Sequence, residues 1–267
     1  MKPVGELTFS TGHRAKTTRV QRSSDLISSL GHLGLIFPCP TLVSIGGASG
    51  IEPAALEQLR SLFEQVLAPL AEELGLAVID GGTDAGVMQL MGQARQKIAG
   101  SFPLVGVAAT GTVSLPGTKP PKDSAPLEAN HTHFILVPGA FWGDEAPWIA
   151  RVASELSPGL PSLTVLVNGG KIAWQDVTNS IREGRPVMVI AGSGRTADEL
   201  AAAVNGDRSN ERANTLVDSG LLQSIDLFAD TNILKAAFQQ RLRATLRVPP
   251  TQDPSQCSAH SRRLGGW

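Results

Sequence analysis

Cysteine is almost absent from this chain: Cys39 and Cys257 are the only two, and they stand far apart. That excludes a disulfide framework and a CxxC metal pair, and it fits a reducing compartment. No apolar run approaches the roughly 18 residues of a spanning helix, and the opening Met1-Lys2-Pro3-Val4-Gly5-Glu6 has no apolar signal core, so a cytoplasmic protein without membrane insertion is expected. Charge of either sign is not in excess, with a formal net charge of −1. Nucleic acid is not an expected partner, because the basic footprint that phosphate backbones require is missing. Tyrosine is lacking altogether.

What is present is core material and turns. Hydrophobic residues make up 42% of the 267, charged residues 18%, and there are 28 glycines. From about residue 41 the chain repeats one grammar, a short β-rich apolar run, a glycine turn, then a segment with helical spacing. This predicts an α/β fold, a Rossmann-like three-layer sandwich with a mostly parallel sheet and a helical C-terminal extension. The runs are Leu42–Gly47, Leu76–Gly82, Leu104–Ala109, His131–Gly139, Leu163–Gly170 and Pro186–Gly194. Pro53 opens the first helix, in which Leu56, Leu59, Phe63, Val66, Leu70 and Leu74 form the apolar stripe; Asp84 stands where the N-cap of the second belongs. Residues 111 to 129 read as a long surface loop and residues 230 to 246 as a late helix with Leu234, Ala237, Phe238 and Leu242 on one face.

Three segments follow from this pass. Residues 1–40 form an N-terminal extension packing on the core, basic at Arg14, Lys16, Arg19 and Arg22 and helical around Leu26, Ile27, Leu30 and Leu33. Residues 41–247 are expected to form the Rossmann-like domain, and residues 248–267, rich in Pro, Ser and Arg, a disordered tail.

Four strands end in glycine pairs or a Gly-x-Gly: Gly46-Gly47, Gly81-Gly82, Gly169-Gly170 and Gly192-Ser193-Gly194. In a doubly wound sheet such ends line the carboxyl edge, where a ligand approaches the backbone closely and helix N-termini offer unpaired N–H groups to phosphate. Any single pair is better read as a tight βα turn; four together shift the balance towards a site for a phosphate-containing ligand. In Gly192-Ser193-Gly194-Arg195-Thr196-Ala197-Asp198-Glu199, Thr196 and Glu199 have capping-box spacing. Arg195 either clamps a phosphate bidentately or pairs with a nearby carboxylate, and Ser193 either binds phosphate or only shapes the turn. Thr83 offers a hydroxyl, Asp80 or Asp84 can meet a ribose or cap a helix, and Lys171 can reach a phosphate or stay solvated. His131 and His133, alternating on a strand, share a face; with no third ligand beside them they read as hydrogen-bonded structural histidines, so no metal site is expected. No catalytic signature of the GxSxG, GxxxxGK[ST] or HExxH type is present. Glu128, Asp144 and Glu145 are acids in or beside the long loop.

Read in order, Asp80-Gly81-Gly82-Thr83-Asp84-Ala85-Gly86-Val87-Met88, Asn130-His131-Thr132-His133-Phe134-Ile135-Leu136-Val137, Val165-Leu166-Val167-Asn168-Gly169-Gly170 and Pro186 through Asp198 resemble the SLOG domain of TRPM channels, called LSDAT in its prokaryotic form. Asp230-Thr231-Asn232-Ile233-Leu234 is similar to a segment just beyond that domain, so the resemblance covers roughly residues 41 to 240. It implies a Rossmann-like sensor for a nucleotide-derived ligand, ADP-ribose or a relative, needing no cofactor and signalling to a separate effector protein or through homo-oligomerisation. It places the ligand against Gly46, Gly47, Gly81, Gly82, Thr83, Gly169, Gly170, Gly192, Ser193, Gly194 and Arg195. The superfamily's phosphoribohydrolase motif, PGGxGTxxE, survives only as the fragments Pro138-Gly139-Ala140-Phe141 and Asn168-Gly169-Gly170-Lys171. A hydrolase acting on a nucleotide-derived substrate is therefore the alternative rather than the first expectation.

Overall fold

The computed structural model of the chain describes residues 4–47 and 52–245. The tail expected to be disordered, residues 248–267, lies outside the described residues.

An antiparallel hairpin of β1 (Gly5–Thr8) and β2 (Arg14–Arg19) precedes helix α1 (Leu26–Leu33). The alternation then runs through β3 (Thr41–Gly46), α2 (Pro53–Ser61), α3 (Ala68–Leu74), β4 (Ala77–Asp80), α4 (Gly86–Lys97) and β5 (Leu104–Ala109). The two-residue strands β6 (Val113–Ser114) and β7 (Ala125–Pro126) lie inside the long loop. After them come β8 (His133–Val137), α5 (Ala146–Leu156), β9 (Ser162–Val167), α6 (Lys171–Arg182), β10 (Val187–Ala191) and α7 (Arg195–Val204). The described chain closes with α8 (Glu211–Val217), β11 (Leu222–Asp226) and α9 (Thr231–Thr245).

Nine of these strands form one sheet in the order β1-β2-β8-β5-β4-β3-β9-β10-β11, parallel throughout except for the β1–β2 pair. The fold is the expected α/β sandwich. Side chains that alternate along each strand fill two cores. One face packs on α1, α5, α6, α7 and α8 through residues such as Leu30, Val152, Val177 and Leu200; the other packs on α2, α3, α4 and α9 through Phe63, Leu70, Met91 and Phe238. Strands buried on both faces read as continuous apolar runs, which is why β5 and β10 are apolar along their whole length.

Three local details depart from the sequence reading. The basic segment before residue 20, expected as an extension packing on the core, supplies strands that the sequence pass did not name: β2 joins the sheet beside β8, with Lys16 in register with His133 and Arg19 with Leu136. Its charges sit on an edge hairpin, where one row of side chains faces water. Between α2 and α3 the helix widens into a π turn over Leu62–Leu67. That shift in phase buries Leu62 and Leu67 and carries Leu74 out to 36% exposure, away from the expected stripe. Finally, β8 starts at His133, so His131 precedes the strand and the two histidines do not share a strand face.

Candidate functional site

The strand order runs outward from β3 to β4, β5 and β8 on one side and from β9 to β10 and β11 on the other. The reversal between β3 and β9 is a topological switch point, and strands flanking such a point splay their following loops apart to leave a crevice. A cleft of about 320 Å³ opens there. Its floor is the strand ends Ser44–Gly47, Gly81 and Ala108; its walls include Thr83, Trp142, Glu145, Lys171, Asp176 and Arg195.

Of the glycines singled out in sequence, Gly46, Gly47, Gly81 and Gly170 line this cleft, together with Thr83 and Arg195. Gly46 has φ 126° and lies so close to the Val167 carbonyl that no side chain fits between β3 and β9 at that point. Gly170 is the N-cap of α6 and faces the Arg195 guanidinium, which a β-carbon there would meet at 2.8 Å from Nη2. The other four glycines and Ser193 are placed differently. Gly82 packs against Gly106 and the Phe134 ring, and Gly169 against Ala173. Gly192 lies beside Phe228, and Gly194 beside Asn168. The Ser193 hydroxyl is spent within the backbone, donating to the Ile190 carbonyl at 2.5 Å and accepting from the Asn168 N–H at 2.8 Å.

Two helix starts are built otherwise than by the expected caps. Ala85, not Asp84, occupies the N-cap of α4, and the Asp84 carboxylate accepts from the Gln89 side chain at 2.9 Å. At α7 the N-cap is Gly194 without a side-chain bond; Thr196 donates to the Gly170 carbonyl at 3.2 Å and Asp198 accepts from the Gly192 N–H at 2.7 Å. The Thr196–Glu199 box does not form, since Thr196 is drawn across to the β9 turn. The effect is to tie the Gly170 and Gly192 turns together under Arg195.

The sequence reading passed over Asp176. It lies in α6 on the face that carries Ala173, Trp174 and Val177, is 9% exposed, and borders the cleft with Glu145, also 9% exposed. Burial first, and then the neighbouring Glu145, push the Asp176 carboxyl up to about 8. The Glu145 carboxyl is raised as well, chiefly by burial, although it accepts from the Gly143 N–H at 3.0 and 3.1 Å. An acid on an otherwise apolar helix face was the available signal. Counting the PGGxGTxxE spacing from Asn168-Gly169-Gly170 also puts the motif's acid at Asp176, a carboxylate one methylene shorter than glutamate.

Beneath the cleft, His131 is sealed between Asp80 and Glu128, its Nε2 2.8 Å from Asp80 Oδ1 and its Nδ1 2.8 Å from Glu128 Oε2. Burial alone would lower the imidazole, but the two carboxylates more than reverse this and push it up to about 9. It is an imidazolium bridge, a structural role. Asp80 Oδ1 also accepts from the Gly82 N–H at 2.7 Å, and the Glu128 N–H donates to the Gly82 carbonyl at 2.9 Å, so the bridge holds the Gly81–Thr83 turn in place. His133 goes the other way, lowered to about 4 by burial and by Lys16. Among the described residues no cluster of three or more metal-ligating side chains occurs.

A parallel sheet reversing at β3/β9, with glycine turns gathered at its carboxyl edge, defines a doubly wound α/β protein with its crevice at the switch point. Within that class the chain belongs to the SLOG family, in the form described as "SLOG in TRPM, prokaryote", which matches residues 39–235. It is 27% identical over 239 residues to the mouse transient receptor potential cation channel subfamily M member 2, covering 74% of this chain and 16% of the channel. Human member 5 is 28% identical over 221 residues, covering 68% of this chain and 18% of that protein. A subfamily M member-like 2 protein of Nematostella vectensis is 28% identical over 187 residues, or 55% of this chain and 12% of the relative. The chain thus spans less than a fifth of the relatives' length, and no helix among the described residues is long and apolar enough to cross a membrane.

Proposed function

We propose that this protein is a cytoplasmic sensor that binds a nucleotide-derived small molecule of the ADP-ribose class in the β3/β9 cleft and signals through a partner or through self-assembly. The observation that carries the reading is the convergence on one cleft of Gly46-Gly47, Gly81, the N-terminus of α6 at Gly170 and the Arg195 side chain. Phosphate is the chemistry such a set suits: backbone N–H groups and a helix dipole supply positive potential without a dedicated lysine, and a guanidinium grips two oxygens at once. Trp142, 44% exposed on the cleft wall, offers a flat apolar surface for a base. Isothermal titration with ADP-ribose tests this: Arg195→Ala is expected to weaken binding at least tenfold, about 1.4 kcal/mol. Unchanged affinity removes Arg195 from the site.

A hydrolase is the second reading, and Asp176 favours it, since a carboxyl that keeps its proton near neutrality is suited to general acid chemistry. Asp80 and Glu128, by contrast, are consumed by His131. Product formation from ADP-ribose under single-turnover conditions, abolished in Asp176→Asn, would establish turnover; no product with bound ligand supports the sensor.

A further inference from the structure

The cleft contains an electrostatic contradiction. Glu145, at the N-cap of α5, and Asp176, in the second turn of α6, place two carboxyls on the wall of a crevice whose other features suit an anion. Both are nine-tenths buried, and neither belongs to an ion pair of the described residues. The Glu145 carboxylate takes the Gly143 N–H, while Asp176 Oδ1 is enclosed with no hydrogen-bond partner at all. The nearby Asp144 cannot relieve them, because it is another carboxylate and its Oδ2 is committed to the Ala140 and Phe141 N–H groups at 2.8 and 3.0 Å. Ionising an unpaired buried carboxyl is costly, so Asp176 keeps its proton near neutrality, and a polyanion brought beside an ionised pair adds repulsion.

We propose that Glu145 and Asp176 hold a divalent cation of the magnesium type, which bridges them to the phosphates of the bound nucleotide. The inference rests on the nucleotide reading above and specifies the ligand as a metal complex. Magnesium characteristically takes one or two carboxylates and completes its shell with substrate phosphate and water rather than an all-protein cage. That matches a site with two carboxylates, where the remaining oxygens must come from the ligand. Lys171 and Arg195, on the same cleft, are left to the outer phosphate oxygens. One dication removes both penalties, since it neutralises the acid pair and turns its repulsion of phosphate into a bridge.

The test is titration of ADP-ribose into the full chain in magnesium and in EDTA, with Asp176→Asn and Glu145→Gln beside the wild type. Both substitutions keep shape and remove charge, and thermal unfolding verifies each fold. Manganese alone, followed by water proton relaxation, probes the acid pair without nucleotide. Wild-type affinity is expected to rise tenfold or more with magnesium, the rise to vanish in both variants, and manganese to bind weakly to the wild type and not to Asp176→Asn. Equal affinity in magnesium and EDTA overturns the proposal, and so does binding in EDTA that only tightens as pH falls, because a proton then does the work of the metal. Should ADP-ribose fail to bind in either buffer, the nucleotide reading falls. Manganese binding that depends on Asp176 would still uphold the cation site, and its absence would overturn that too.

Discussion

His131 carries a charge in a place with no solvent, and its two carboxylate partners make that charge a contribution to stability. The free imidazole titrates near 6.5 and the buried one near 9. A folded-state value above the unfolded one means that the stabilisation is complete below about pH 6.5 and is lost as pH climbs through 9. The difference corresponds to roughly 3 kcal/mol. Urea unfolding of the wild type should therefore weaken between pH 6.5 and 9, and His131→Gln should be less stable at pH 6 but lack most of that decline. Parallel pH profiles for the two proteins would remove the charge from His131. At this scale the sequence was only partly legible. Gly46, Gly47, Gly81, Gly170, Thr83 and Arg195 announce themselves by position after a strand, and the structure brings them to one cleft. Gly82, Gly169, Gly192, Ser193 and Gly194 follow strands equally well, yet their immediate contacts are with neighbouring backbone and side chains, which spacing alone does not disclose. Asp176 showed in the sequence only as an acid on an apolar helix face; its pairing with Glu145, 31 positions away, comes from the packing of α5 on α6, which spacing alone does not disclose.

At the scale of elements, legibility followed burial. β3, β4, β5, β8, β9 and β10 are interior strands whose runs are mostly apolar, and each is plain in the sequence. Of the strands passed over, β1 and β11 form the two edges of the sheet and β2 lies just inside β1, and there Lys16, Arg19 and Gln223 face water and dilute the apolar signal. α9, read correctly as a late helix, is a structural member of the domain, since Phe238 is fully buried among residues of the α2–α4 face. Phe238→Ala should cost about 3–5 kcal/mol, read as a fall in the denaturation midpoint with one cooperative transition. A stability within 1 kcal/mol of wild type would place α9 outside the folding unit.

For the molecule as a whole, the topology dictates the location of the site. Once the chain leaves β3, winds out to β8 and returns to β9 beside β3, the loops at that seam have no strand between them to close the gap, and the glycines there leave the cleft open. The family match over residues 39–235 covers this seam entire. The most direct measurement is thermal unfolding of the purified chain with ADP-ribose, cyclic ADP-ribose, NAD, AMP, ATP and a cyclic dinucleotide, each in magnesium. A ligand at about 100 times its dissociation constant adds about 2.7 kcal/mol, which is on the order of 5 to 10 °C for a domain of this size. The account predicts such a rise for ADP-ribose or a close relative, diminished in Arg195→Ala; a flat panel, or a rise that Arg195→Ala leaves intact, would contradict it.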